Sequence, residues 1–386
     1  LKQTHFSHWQ CRSCGKTFAR DEVRYLCPDC SREYRPGIPL IGVLEAMFDY
    51  PAISADYSPA LTPKQVTQLF SAVHRDFYPA LPVGDTPFFR LDAEGDIWVK
   101  NDALNPSGSF KDRASQLVVS EANRLGIKEI VCASTGNAAS SLAAYSASAG
   151  IKAVIFAPAS APTAKLVQIK VHGAELHKVQ GTYDDAFKSA LDYSATHDCL
   201  NRNTAYHPLT IEGKKSSGLE IFVQNGHQVP DWIVIPVGDG VIIAGIHKAF
   251  VDLKRAGITD RLPRLLAVQA ERSDAITSYF ESGIYTDSSS PVTIADSISV
   301  TTPSNADWAV SAIRESSGNA VRVSDVQISE AQRELASKHG VFAEPSSSAT
   351  LAGYKLAIAR GLIRPLEQTV LLITGHGLKD IGSVTA

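Results

Sequence analysis

Between Glu129 and Ile373 the apolar positions come in short blocks separated by longer amphipathic stretches, and the two kinds alternate. Glu129–Ala133, Lys152–Ala157 and Glu175–Val179 read as buried strands, and Asn137–Ala149 (closed by Gly150), Pro162–His172 and Asp184–His197 as helices. A second run adds strands Trp232–Val237, Leu265–Ala270 and Thr369–Ile373, with helices Ile242–Ala256, Ser329–Lys338 and Pro345–Arg360. Such alternation predicts an α/β fold, with parallel sheets covered by helices. Upstream, Pro39 to Pro79 reads as a connecting segment holding one helix, begun at Thr62-Pro63 and bearing Val66, Leu69, Phe70 and Val73 at helical spacing. A hairpin, Phe89–Leu91 with Ile97–Lys100 across the turn Ala93–Asp96, follows it. Residues 272–307, rich in Ser, Thr and Pro, read as loop broken by short elements.

Length and composition add limits. A chain of 386 residues exceeds one core, so two large domains and a small module are expected. With 44% hydrophobic and 20% charged residues it has the make-up of a soluble globular enzyme. No apolar run nears the ~18 residues that span a bilayer, so no membrane partner is expected. A net charge of −3 gives no field favouring nucleic acid. Leu1–His5 lacks the apolar centre of a signal peptide, and a cytoplasmic location is the expectation.

Four of the six cysteines change the picture at the N-terminus. Cys11-x2-Cys14 and Cys27-x2-Cys30 form two knuckles with the spacing of a four-thiolate tetrahedral site, for which Zn(II) is the usual ion. Gly15 suits a knuckle turn, and Arg20–Tyr25 reads as a short strand between the pairs. Two disulfides are the competing reading, disfavoured in a reducing compartment. A closed four-cysteine site leaves no open position, so its role is structural. Cys132, inside an apolar strand, reads as packing.

Four turns carry candidate chemistry. Asn105–Arg113 is a turn running into a helix, and it sets Lys111 where a side chain is held rigidly: a solvated amine, or one held for Schiff-base chemistry. Ser134-Thr135-Gly136-Asn137 passes from strand to helix as a well-capped start or an anion site. Gly238-Asp239-Gly240-Val241 is a second strand-to-helix turn, suited to tight geometry or to a phosphate. Thr374, before Gly375-His376-Gly377, ends the last strand with a hydroxyl.

Together and in this order, Gly84-Asp85-Thr86-Pro87, Asn105–Arg113, Ala133–Asn137, Pro236-Val237-Gly238, Glu344–Ala349 and Thr374–Asp380 resemble the threonine synthases, fold-type-II pyridoxal-phosphate enzymes. The resemblance runs from about Pro82 to Asp380, and cysteine knuckles also occur in some members. It implies that Lys111 forms the Schiff base with pyridoxal 5'-phosphate and then moves protons. Asn137 would meet the cofactor's phenolic oxygen, Gly238, Asp239, Gly240 and Val241 its phosphate, and Thr374 its pyridine nitrogen. Ser134, Thr135, Gly136 and Asn137 would hold the carboxylate of a small amino-acid substrate. A neutral hydroxyl at the ring nitrogen makes a milder electron sink, suited to elimination and replacement. The implied organisation is a zinc-ribbon-like module at 1–38, a large domain from 39–114 and 208–386, a small domain at 115–207, and a homodimer.

The chain also departs from the family. Threonine synthases continue the Pro-Val-Gly turn as Asn-Ala-Gly-Asn, where this chain has Asp239-Gly240-Val241-Ile242. They set an arginine before a Leu-Glu-Gly triplet, with Asn-Ser upstream; here Thr210 precedes Ile211-Glu212-Gly213, with Thr204-Ala205 upstream. A later Ala-Ile-Arg is Ser297-Ile298-Ser299. Each missing arginine takes with it a charge-assisted bond to phosphate worth about 1.5–3 kcal/mol. Lys214, Lys215, Arg202 and His207 are the nearby candidate replacements. O-phosphohomoserine plus water giving threonine and phosphate is the first expectation. Phosphoserine, serine, an acylated homoserine or a specialised-metabolite amino acid are the alternatives, and a non-catalytic cofactor-binding regulator lies outside both.

Overall fold

A computed structural model describes residues 4–35, 37–92, 96–161, 163–181 and 183–383. The N-terminal strands β1 (Phe6–Cys11) and β2 (Thr17–Phe18) pair antiparallel, and β3 (Leu44–Phe48) joins the other edge of β1. Arg20–Tyr25 is turn rather than the expected strand: Tyr25 stacks on Tyr206 and its hydroxyl accepts from Asn201 N–H at 2.9 Å, and pairing falls to Thr17–Phe18. The segment 39–79 holds more than one helix: besides β3, α1 (Tyr50–Asp56) and α2 (Pro63–Leu69) both form. Asp49 caps α1, and Thr62 with Gln65 makes a capping box on α2.

Strands β4 (Phe88–Asp92) and β5 (Ile97–Asn101) form the expected hairpin; residues 93–95 of its turn lie outside the described residues. Next come α3 (Lys111–Leu125), β6 (Glu129–Ala133), α4 (Asn137–Ala149), β7 (Lys152–Pro158), α5 (Thr163–Val171), β8 (Glu175–Val179), α6 (Tyr183–Thr196) and β9 (Leu200–Asn201). The strands β8-β7-β6-β9 make one parallel sheet. The chain continues through α7 (Leu209–Gln224), β10 (Trp232–Pro236), α8 (Val241–Arg255), β11 (Arg264–Ala270), α9 (Ala275–Ser282), α10 (Ala306–Glu315), β12 (Asn319–Val323), α11 (Asp325–His339), α12 (Pro345–Ala359) and β13 (Thr369–Ile373). The large sheet runs β12-β11-β10-β13-β5-β4, parallel except for the β4–β5 hairpin. Every residue of β10 and β13 is buried, so these continuous apolar runs lie in the sheet's centre, covered on both faces. Each fully buried Val, Leu or Ile there contributes roughly 1.5–3 kcal/mol.

Helix α7 has no counterpart among the helices that the patterning predicts, and its interior explains why. Glu212, Lys214, Lys215 and Glu220 are all buried, so charge lies inside where periodicity expects apolar residues. Three of those charges are paired with neighbours: Lys215 with Glu212 at 2.6 Å and Asp252 at 2.9 Å, Glu220 with Arg113 at 2.7 Å and Lys100 at 2.6 Å. Two glycines let α7 sink into its neighbours. A Cβ on Gly213 would lie 2.2 Å from the Arg113 carbonyl oxygen on α3, and one on Gly245 of α8 would lie 2.9 Å from Lys214 Cβ.

Candidate active site

The ends of β10 and β13 and the start of α3 converge. The loop before Lys111 is laced to the end of β13: Phe110 N–H donates to the Thr374 carbonyl at 2.8 Å, and His376 N–H to the Gly108 carbonyl at 3.0 Å. Behind it, the Ser107 N–H and hydroxyl both donate to Asp112, the former at 2.7 Å. Lys111 is thereby fixed as the first residue of α3. Desolvation pulls its amine below the usual lysine range, helped by Arg202 and opposed by Glu344 and Asp239. It lines a cavity of about 50 Å³ together with Thr204, Lys214, the Pro236–Ile243 turn, Ser297 and Thr374.

The turn Gly238–Val241 forms one wall. Gly240, at φ +81, is the N-cap of α8, and no side chain caps that helix. Its first-turn N–H groups, which a helix cannot satisfy itself, are therefore open to an anion. A Cβ on Gly238 would sit 3.0 Å from Ile298 Cα, a tight contact that glycine avoids. Asp239 accepts from the Ser304 N–H and hydroxyl, each at 3.3 Å, and burial raises its carboxyl. Thr374 shares a 3.0 Å hydrogen bond with Ser347, whose oxygen also accepts from the Thr374 and Gly375 N–H groups.

Asn137 lies outside the cavity lining and is tied to it. Its side-chain amide donates to Glu344 at 2.9 Å and to Ser297 at 3.3 Å. Glu344 is buried, with its carboxyl pushed up by desolvation, in space that Gly375 leaves open: a Cβ there would meet Glu344 Cδ at 2.2 Å. Ser134, Thr135 and Gly136 do not reach the enclosed cavity. Gly136 is the N-cap of α4 and no side chain caps that helix, so the hydroxyls of Ser134 and Thr135 are not spent on capping; Ser134 oxygen instead accepts from Gly136 N–H at 3.2 Å. Lys111, Gly238–Val241 and Thr374 are thus brought together, Asn137 adjoins them, and Ser134–Gly136 stand apart. The sequence pattern gives no role to Glu344, Ser297 or Ser347, since each acts through contacts between distant elements.

The four candidate cations divide. Lys215 is occupied by Glu212 and Asp252. His207 is neutral: burial lowers it to about 3, and its Nδ1 accepts from Leu209 N–H at 3.2 Å. Arg202 is buried, with Nε 3.4 Å from the Ser115 hydroxyl. Lys214 enters the cavity.

Away from this site, Cys11, Cys14, Cys27 and Cys30 are unbridged and their sulfurs lie within 4.8 Å of one another. The Cys11–Cys30 and Cys14–Cys27 pairs stand 3.8 and 3.9 Å apart. A tetrahedral ion with metal–sulfur bonds of ~2.3 Å sets its thiolates ~3.8 Å apart, so the donors fit one. No described helix is long and apolar enough to cross a membrane.

Residues 80–375 match the family model described as "Pyridoxal-phosphate dependent enzyme". The threonine synthase of Methanosarcina acetivorans is 36% identical over 97% of this chain and 92% of that protein. That of Methanocaldococcus jannaschii is 36% identical, over 96% of this chain and 92% of that protein. Among solved structures, the processed form of threonine deaminase isoform 2 from Solanum lycopersicum superposes with a TM-score of 0.65, over 75% of this chain and 83% of that one. At 22% identity it speaks for the fold alone.

Proposed function

Because the chain belongs to the threonine synthase family of pyridoxal-phosphate-dependent enzymes, and is a lyase of that type, we propose that it converts O-phosphohomoserine and water to threonine and phosphate. The observation that carries this reading is the match to threonine synthases over nearly the whole chain.

The residues present fit the cofactor. Lys111 offers a desolvated amine to an aldehyde, and the uncapped start of α8 offers N–H groups to a phosphate. Thr374 offers the ring nitrogen a neutral hydroxyl, oriented by Ser347. When bound, the cofactor supplies an electron sink for charge developing at the substrate Cα. Lys111 in its uncharged form would take the Cα proton and then the Cβ proton; phosphate leaves from Cγ, one of these protons returns to Cγ, water adds its hydroxyl at Cβ, and a proton returns to Cα. Ser134, Thr135 and the amides opening α4 orient the substrate carboxylate. Asn137, held by Glu344, would meet the cofactor's phenolic oxygen.

The four thiolates hold a structural Zn(II), a reading supported by their sulfur spacing. The same reading takes 115–207 as the small domain and 39–114 with 208–386 as the large one. In support, β6–β9 fall within the first range and β4, β5 and β10–β13 within the second. The assembly is taken as a homodimer.

A second reading is favoured by Thr204, Thr210 and Ser299, which stand where the family has other polar and basic residues. The substrate then carries another leaving group. Offering O-phosphohomoserine to the holoenzyme and measuring phosphate and threonine decides. A cofactor absorbance shift with serine or phosphoserine, and none with phosphohomoserine, would select the second reading.

A further inference from the structure

Buried lysines in this protein fall into two groups. Lys100, Lys215 and Lys248 each meet a carboxylate: Glu220 at 2.6 Å, Glu212 at 2.6 Å and Asp252. Lys214 is just as buried, at 2% exposure, yet no carboxylate lies within ion-pairing distance among the described residues. Its hydrogen bond to the Thr204 hydroxyl is a long one, 3.5 Å. Burial disfavours an ammonium there, so the Lys214 amine is held toward its uncharged form, and an anion brought against it would restore the charge.

The helix packing explains how it gets there. Lys214 lies one turn after Thr210 on α7, so the two share a face. Gly245 lets α8 pass against the Lys214 stem, which brings the amine to the cavity that the open start of α8 also lines. That cavity, about 50 Å³, has about four times the volume that one water requires, which suits a five-atom phosphate group. Desolvation pulls the Lys214 amine well below the usual lysine range, Lys111 and Arg202 pull it the same way and Asp239 opposes them, and a bound anion would reverse that balance.

We infer that Lys214 is the charged anchor of a phosphate monoester lodged in the Lys111 cavity, at the open N-terminus of α8. The inference rests on the proposed pyridoxal-phosphate chemistry, from which two such esters follow: the cofactor's own, and the substrate's leaving group.

The test uses the full-length chain and its Lys214→Met and Lys214→Arg variants. Cofactor-free protein is titrated with pyridoxal 5'-phosphate and with pyridoxal, which lacks the ester; cofactor-loaded protein is titrated with inorganic phosphate by calorimetry. Removing one charge-assisted hydrogen bond predicts about 10- to 100-fold weaker binding of the ester in the methionine variant, with pyridoxal unchanged and arginine retaining most of the affinity. If pyridoxal phosphate weakens, the ester is the cofactor's. If it does not, and the loaded variant loses phosphate affinity by that factor, the ester is the leaving group. A methionine variant that binds all three as the parent does, or loses pyridoxal phosphate and pyridoxal alike, overturns the inference. Should that variant fail to fold, the arginine variant decides: a parent-like preference for pyridoxal phosphate over pyridoxal, or parent-like phosphate affinity when loaded, upholds the inference, and loss of both overturns it. A parent protein that makes threonine while Lys214→Met shifts no phosphate affinity leaves the enzymatic reading intact and removes this inference alone.

Discussion

Glu220→Gln is the perturbation that most directly tests how the two cavity helices are held. Arg113, two residues after Lys111 on α3, makes a bidentate pair with Glu220 on α7, at 2.7 and 2.8 Å, and Lys100 adds a third bond at 2.6 Å. Asp102 takes the remaining edge of the guanidinium, at 2.7 and 2.8 Å. Glutamine keeps the shape and removes the charge, leaving Arg113 and Lys100 sharing one carboxylate. Breaking one partner of a buried pair costs about 3–5 kcal/mol. A second route gives a similar figure. Burial alone would push Glu220 up, but Arg113 and Lys100 hold it at about 2, against 4.5 for an ordinary glutamate. That difference is worth roughly 3 kcal/mol above pH 5. The folded pKa is the depressed one, so this stability is present above the unfolded value and is lost as pH falls toward 2. Urea unfolding of parent and variant at pH 7 should therefore differ by about 3–4 kcal/mol. The gap should fall by more than half at pH 3. A difference below about 1 kcal/mol at pH 7, or one that is flat with pH, would refute the claim that this pair welds α3 to α7.

Three further outcomes are expected. The cofactor's near-visible absorbance band should vanish in Lys111→Ala, and the rate at which cofactor-free parent regains it should rise with pH, with a midpoint below 10.5, since only the uncharged amine attacks the aldehyde. A midpoint at or above that value would contradict the desolvated Lys111. His207, buried and held at about 3, takes up a proton on unfolding, so stability should fall as pH drops below ~6.5, by roughly 4 kcal/mol at pH 3. His207→Gln should flatten that slope, and an unchanged slope in its denaturation profile would count against a neutral His207. Metal analysis should find about one zinc per chain, and Cys14→Ser should lower both the metal content and the midpoint of thermal unfolding.

What is legible in the sequence has its physics nearby along the chain. The runs Trp232–Pro236 and Val370–Ile373 announce central strands because a strand covered on both faces favours a continuous apolar run. The cysteine pairs and the glycine turn are local by construction, and Lys111 and Thr374 stand at the junctions of elements that the patterning marks. Elements go unseen where the local signal is weak or inverted. Leu44–Phe48 contains Glu45, which is buried against Arg12 at 3.0 Å and Arg255 at 2.6 Å, so its charge hides a buried strand at the sheet's edge. The Asn137–Glu344 bond joins residues 207 positions apart, and no spacing rule reaches that far.

Helix α7 sharpens the point, because the feature that hides it bears directly on the site. Its charges face inward, and all but one find carboxylate or cationic partners: Lys215 on α8's Asp252, Glu220 on α3's Arg113, Glu212 on Lys215. A helix with an ordinary apolar stripe would pack as firmly, and replacing such pairs by hydrophobic side chains is often neutral or stabilising. The ion pairs add a fixed register, since a bidentate pair admits one sliding position and an apolar surface admits several. That register sets Lys214 at the mouth of α8 and Arg113 beneath Lys111, so that the one buried amine on α7 without a carboxylate is positioned by those that have one.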